Sequence, residues 1–404
     1  MLNKDGQREL AYIVSIDEIK PIPNYDRVEH ARVGGWWVIV KKDQFKVGEP
    51  AIYIEVDSKV PEKEPFLFLE SKKYRVKTQR MCKVISQGLL MHPSDFGWAI
   101  QNDNLGGYVI TTAKVKEYFE VGDFVTEKLG ITYYEPEDNK RKANTGDKYK
   151  AMAQRRPDIF KKPWARWMMR REWGKKVMFL FFGKKRDKKN AWPSWIKKTD
   201  EERCQNMPWL FPGSDEEFTV TEKIDGTSTT FAIYGYGRKQ KFYVCSRNVV
   251  QDTPEKENWY DGNVYWEMAE KYNIKEKLAS LMDGNTEYII LQGETYGAGI
   301  QKRDYSMADH DFAAFNLIVK FENQEPFRYD AAAMEKLLTP LGIPSVPILD
   351  LAFKIPETCD DLLNIAAGPS VIDGGMREGI VIRSKDGKRS FKAVSNEFLL
   401  KYHS

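Results

Sequence analysis

Residues 218–235, FTVTEKIDGTSTTFAIYG, decide how this chain is read. Apolar and polar residues alternate on each side of Lys223-Ile224-Asp225-Gly226, which marks two short strands interrupted at that tetrapeptide. The plain reading is a surface hairpin with Asp225-Gly226 as its turn, followed by KFYVCSRN (241–248) as a third consecutive antiparallel strand. A chemical reading stands beside it. Lys223 could attack a phosphorus atom if neighbouring cations, a metal ion among them, depress its pKa and leave the amine neutral. Asp225 could bring in that ion, and Gly226 would let the backbone approach a nucleotide closely. One K-x-D-G is too short to choose between the two readings.

An ordered series of downstream segments makes the choice. Ser246-Arg247-Asn248 ends a strand, and TEYIILQGETYG (286–297) is a strand that carries Gly293-Glu294 into a glycine-rich turn. Then come Phe312-Ala313-Ala314-Phe315-Asn316, Glu378-Gly379-Ile380-Val381-Ile382-Arg383 and Ser390-Phe391-Lys392. Taken together, the series resembles motifs I, Ia, III, IIIa, IV and V of the covalent nucleotidyltransferase superfamily of ATP-dependent ligases and mRNA-capping enzymes. Only the 12 residues 393–404 follow Lys392, so no C-terminal OB domain is expected, which counts against a guanylyltransferase or a DNA ligase. The segments YIVSIDEIKPIPNYDRVEHARVGGWWVIVKK, VGEPAIYIEVDS and ISQGLL are instead similar to the N-terminal OB domain of a nick-sealing RNA-ligase group. IKKTDEERCQN (196–206) is similar to an element of that same group.

The resemblance implies an ATP-dependent RNA ligase that joins 3′-OH and 5′-phosphate ends, with Mg²⁺ or Mn²⁺ as its metal and RNA repair as its setting. Lys223 would take AMP from ATP, AMP would pass to an RNA 5′-phosphate, and a 3′-OH would displace it. Lys223 and Lys392 would be the catalytic lysines. Glu222, Arg203, Arg247, Glu294 and Phe315 would join them in binding ATP, with Phe315 stacked on adenine. Asp225, Glu294 and Glu378 would hold the hydrated metal, and Asp57 of the OB domain would help to place a second. Two positions depart from the family pattern: Asn316 stands where ligases often have Asp, and Val394 occupies the second basic position after Lys392. Capping, DNA ligation and a degenerate RNA-binding protein are the alternatives. Labelling with ATP against GTP separates the first from ligation, and the retained Lys223, Glu294 and Glu378 count against degeneracy.

Outward from the motifs, three regions are expected: an OB-type domain at 1–134, a basic Trp-rich insertion at 135–192, and an α+β nucleotidyltransferase domain at 193–404. In the first, RELAYIVSIDEI, GGWWVIVKK, AIYIEVDSKV and YVITTAKV read as strands. In the last, 263–281 and 329–338 read as helices. The charge is unevenly spread. Residues 140–198 hold 21 Lys or Arg against 4 Asp or Glu, a local +17 in a chain of net +4, which leaves −13 elsewhere. Pro163 could open a helix with Trp164, Trp167 and Met168 on one face. That helix reads either as docked on its own protein, with the aromatics as core, or as an RNA-binding arm.

Composition excludes several classes. Hydrophobic residues at 42% support a sizeable core, and no apolar run approaches a membrane span. Four cysteines without CxxC pairing and four histidines argue against a zinc site or a disulfide framework. A cytoplasmic or otherwise intracellular, non-secreted protein is expected, with RNA as nicked or broken duplex ends for its partner and neither a membrane nor a protein partner.

Overall fold

The computed structural model describes residues 1, 8–102, 107–109, 117–134, 159, 162–182, 192–211, 215–251 and 263–403. The chain divides into two compact units, Met1–Tyr133 with Trp195–Ser404, and Tyr134–Ser194.

The first unit opens as an OB-type domain. Strands β1 (Ala11–Ser15), β2 (Glu18–Ile22), β3 (Tyr25–Val33), β4 (Trp36–Lys41), β5 (Pro50–Ile54) and β6 (Leu89–Met91) form antiparallel sheets in the orders β1-β5-β6 and β2-β3-β4. The period-2 pattern of Trp36, Val38 and Val40 inward and Lys41 outward is what a half-buried strand requires. The β3–β4 hairpin turns on Gly34, whose φ of 57° suits glycine, and on Gly35. Strand β3 is missing from the sequence reading because Asn24-Tyr25-Asp26 reads as turn chemistry; only Asn24 (φ 68°) turns, and the strand starts at Tyr25. Of the expected strand YVITTAKV, only residues 108–109 fall within the described ones.

The second unit holds helices α1 (Pro163–Met169) and α2 (Glu172–Phe182), with Pro163 in the first turn of α1.

The first unit resumes with β7 (Glu202–Arg203), β8 (Glu217–Lys223), β9 (Thr227–Tyr234), β10 (Lys241–Ser246), α3 (Val264–Lys271), α4 (Ile274–Ser280), β11 (Thr286–Gly297) and β12 (His310–Phe321). After these come β13 (Phe327–Arg328), α5 (Ala331–Leu338), β14 (Ile348–Lys354), α6 (Cys359–Ala366), β15 (Gly379–Ser384) and β16 (Ser390–Val394). Two five-stranded sheets result, ordered β7-β16-β15-β8-β14 and β10-β9-β11-β12-β13. Helices α3, α4 and α5 cover the second sheet through Phe231, Met268, Leu278, Leu291 and Met334, while α6 covers the first through Phe218, Leu362 and Phe391. The architecture is an OB-fold domain followed by a mixed α+β domain, the fold class expected.

Two expectations change. β8 and β9 are not a hairpin: they lie in different sheets, and residues 224–226 cross between them. The helix read at 263–281 is two helices, because Asn273 adopts a left-handed conformation (φ 47°) between α3 and α4.

Candidate active site

The crossover from β8 to β9 puts Lys223 at the end of one sheet and Asp225 at the mouth of the other. A Cβ on Gly226 would collide with the Thr295 carbonyl and lie 2.8 Å from Glu294 Cγ, so only glycine lets the crossover pass against β11. Register does the rest. Lys223 pairs with Gly379, the neighbour of Glu378, while Glu294 pairs with Ser228 across β9. The Lys223 ammonium donates to Glu378 Oε2 at 2.7 Å. Burial opposes the charge on Lys223, but Glu378, Glu294 and Asp225 outweigh it and lift its pKa above the ordinary range. Burial pushes Glu294 up to about 8, with Lys223 opposing and Glu378 and Asp225 adding. The expected depression of the Lys223 pKa depends on a metal ion that would offset these acidic groups. In the protein alone, three carboxylates around one ammonium hold the proton on.

The depressed lysine is Lys392. Burial draws its pKa down to about 8; Asp200 opposes this, and Arg8, Arg203 and Lys223 reinforce it. The parallel β7–β16 pairing sets Arg203 beside Lys392. Asp200 ties the cations together, accepting from Lys392 Nζ at 3.2 Å and Arg8 Nε at 3.0 Å, with Arg247 Nη2 at 3.5 Å. Burial would raise the Asp200 pKa, but Lys392, Arg8 and Arg247 hold it well below the usual carboxylate range. The Arg203 guanidinium donates one bond, to Asp57 Oδ2 at 3.1 Å, while its buried Nε and Nη1 have no protein acceptor. Buried guanidinium donors left open in this way suit a phosphate.

Phe315 stands apart from this charge. β11 and β12 lose register between Gln292 and Gly293, where Gln292 faces Asn316 and Gly293 faces Ala314. Phe315 is the extra residue of that β-bulge, a device that re-aims a side chain. It packs, half-buried, on an apolar group of Ile224, Tyr296, Tyr305, Ala313 and Val346. Arg383 fixes the bulge by donating to the Phe315 carbonyl at 2.8 Å and to Glu201 Oε1 at 3.0 Å. Asn316 is buried and donates to Gln292 Oε1 at 3.0 Å, and Val394 is core, so both departures from the family pattern are packing positions. Glu222 points elsewhere: its carboxylate accepts from the Ser370 hydroxyl and from the Val371 amide at 2.8 Å.

The structure thus brings Lys223, Asp225, Glu294 and Glu378 into one acidic group and Arg203, Arg247 and Lys392 into a cationic one, with Phe315 on an apolar patch and Glu222 bonded to the 370–371 loop. Asp57 pairs with Arg203. Sequence reasoning missed Arg8 and Asp200. Arg8 lies in a strand-like stretch with no motif, and Asp200 sits within IKKTDEERCQN with nothing to single it out. The sole hint was a carboxylate three residues before Arg203. Among the described residues no three His, Cys, Asp or Glu side chains converge closely enough to ligate one ion directly. The acidic excess fits a divalent cation held through its water shell, as a hydrated Mg²⁺-like ion prefers.

Known proteins resemble the chain over nearly its whole length. Residues 216–403 match the RNA ligase family model, and residues 10–93 match a model described as an OB-fold domain. A solved structure of a Naegleria gruberi RNA ligase mutant with ATP and Mn is 27% identical, with a TM-score of 0.69 over 98% of this chain and 100% of that one. The Naegleria gruberi RNA ligase with PPi is 28% identical, with a TM-score of 0.68 over 97% of this chain and 98% of that one. Another mutant of it, with AMP and Mn, is 27% identical, with a TM-score of 0.68 over 98% and 99%. No curated protein sequence matches the chain.

Proposed function

We propose that this chain, whose residues 216–403 are an RNA ligase domain behind an OB-fold domain, is an ATP-dependent ligase that joins RNA 3′-OH and 5′-phosphate ends through a lysyl-AMP on Lys223 and an RNA-adenylate. The observation that carries the reading is Lys223 itself, bonded at 2.7 Å to Glu378 among three carboxylates while it adjoins the Lys392 cation group.

Phe315 and its apolar neighbours offer a face for the adenine ring, and Glu222 keeps spare acceptor capacity on that strand beyond its two internal bonds. Arg203, Arg247, Arg8 and Lys392 receive the phosphates, releasing Asp200 from the role it fills alone. Asp225, Glu294 and Glu378 would hold Mg²⁺ or Mn²⁺ through water, and the ion's charge would loosen their grip on the Lys223 proton and neutralise the α-phosphate. Lys223 Nζ then forms a bond to the α-phosphorus as the bond to pyrophosphate breaks. An RNA 5′-phosphate oxygen next attacks that phosphorus, and the Lys223 bond breaks. Finally the 3′-OH attacks the RNA 5′-phosphorus and AMP leaves. Each step moves an anionic phosphorus group, so alignment and fixed positive charge supply the catalysis.

Nicked or broken duplex ends are the substrate this reading favours. The test uses Lys223→Ala and RNA adenylylated beforehand at its 5′ end. The variant should still join that RNA in a nicked duplex without ATP, while failing on plain 5′-phosphate RNA with ATP. Equal failure on both by a folded variant would contradict a role confined to carrying AMP.

A further inference from the structure

The second unit has surface properties that the ligation chemistry does not use. Helices α1 and α2 pack through small or flexible residues: Ala165 and Met178 are buried, and a Cβ on Gly174 would collide with the Met168 backbone. Four large aromatics are exposed. Trp164, Trp167 and Trp173 are each about half exposed (49%, 51% and 53%), and Phe181 is 73% exposed. Trp173, Val177 and Phe181 recur at every fourth position, so they share one face of α2. Trp167 and Trp173 meet edge to face with centroids 6.0 Å apart, which joins the two helices' aromatics into one strip. The Arg171 guanidinium lies 3.8 Å over the Trp167 ring. Lys162, Arg166, Arg170 and Lys176 accompany it, and Glu172 is the only acid between residues 162 and 182.

An aromatic strip set among cations is a surface for a polyanion that also has flat apolar faces. Charge makes the same point: residues 140–198 carry +17 while the rest carries −13, so the positive charge that attracts a polyanion at long range is concentrated in this segment. We propose that the α1–α2 hairpin binds single-stranded RNA, unpaired bases stacking on Trp164, Trp167 and Trp173 while the neighbouring Lys and Arg side chains pair with phosphates. The inference deepens the reading of the chain as an RNA ligase by giving it a second RNA contact, for strands outside a duplex. Base stacking on exposed indoles is tolerant of sequence and needs unpaired bases, whereas the phosphate contacts serve any RNA.

The test uses the full chain, with Trp164, Trp167 and Trp173 changed together to Leu or together to Phe. Leu keeps apolar bulk and loses the ring; Phe keeps a stacking face. Binding is measured on labelled 5′-phosphate single-stranded RNA and on blunt duplex RNA across a salt series, with covalent labelling by ATP run alongside. The Leu variant should lose about tenfold or more in affinity for the single strand, with duplex affinity and ATP labelling unchanged, and the Phe variant should recover most of the loss. Replacing Lys162, Arg166, Arg170 and Arg171 by Gln should weaken both RNAs and flatten the salt dependence. Single-strand binding unchanged in the Leu variant would overturn the proposal. So would an equal loss on both RNAs, or Trp-dependent capture by phosphatidylserine vesicles without any effect on RNA, which would make the strip a membrane-surface device. Absence of ATP labelling in the wild-type chain would instead count against the ligase reading, with the RNA affinities still readable.

Discussion

Lys223 and Lys392 lie in one site with their pKa values displaced in opposite directions, because different charges surround them. Lys223 sits among Glu378, Glu294 and Asp225, so its proton comes off only when something offsets those carboxylates. Lys392, buried and crowded by Arg8, Arg203 and Lys223, is drawn down to about 8 despite Asp200. The cation on Lys392 is therefore present below that pH and lost as pH rises through it. A triphosphate bound beside Lys392, as proposed, would add negative charge there and raise its pKa, so nucleotide binding near pH 8 should take up a proton, and affinity should fall between pH 7 and pH 9. Calorimetry in buffers of different ionisation enthalpy reads both effects, and Lys392→Arg, which keeps its charge throughout, should abolish them. Equal affinity at the two pH values with no uptake would contradict the assignment. Lys223, Glu294, Glu378 and Lys392 were legible in the sequence because each stands in a short motif with fixed neighbours. Arg8 and Asp200 were not, because their roles come from tertiary convergence on one carboxylate and no local pattern marks them.

At the scale of elements, the site depends on irregularities that periodicity does not show. The alternation in 286–297 and 310–321 identifies both strands, but nothing in it marks the bulge that turns Phe315 onto its apolar patch. Phe315→Ala should raise the KM for ATP about tenfold with little change in kcat, and Phe315→Tyr should restore it, because stacking contributes equally to ground state and transition state. A lower kcat at unchanged KM, measured by steady-state adenylylation, would place Phe315 in the chemistry instead. The K-x-D-G segment misled for a related reason. Asp-Gly between alternating runs is a strong local hairpin signal, and the crossover between two sheets is imposed by pairing to strands more than a hundred residues later. The Trp-rich helix shows the opposite outcome: its start at Pro163 was legible in the sequence, but its tryptophans are half exposed and are not core.

At the scale of the molecule, the OB-fold domain and the α+β domain form one compact unit through a buried polar joint. Asn206 uses all four of its hydrogen-bonding positions there. Its oxygen accepts from Trp36 Nε1 at 2.6 Å and the Tyr12 hydroxyl at 3.0 Å, and its amide donates to Glu55 and Glu202 at 2.7 Å each. Beside it, the Gly35 amide donates to the Gln205 carbonyl at 2.9 Å, in a gap where a Cβ would lie 2.6 Å from Gln205 Cα. Gly34-Gly35 is a turn signal in the sequence; its second task, admitting the α+β domain, requires the fold. Asn206→Leu would take one donor from each of the buried Glu55 and Glu202 carboxylates and leave the buried Trp36 Nε1 without its acceptor, so stability should fall by about 3 kcal/mol, read as a lower thermal midpoint. An unchanged midpoint would mean that the joint is not a structural keystone. That joint sets Arg203 against Asp57 and Arg8 against Asp200, so domain docking and the phosphate-binding cations are one construction. The central claim, that Lys223 carries AMP, is tested most directly by incubating wild type and Lys223→Ala with α-³²P-labelled ATP and a divalent metal. An acid-stable label is expected on the wild type, preferred over GTP, released by pyrophosphate and absent from the variant. No label on folded wild-type protein stripped of bound AMP, or equal label on the variant, would contradict it.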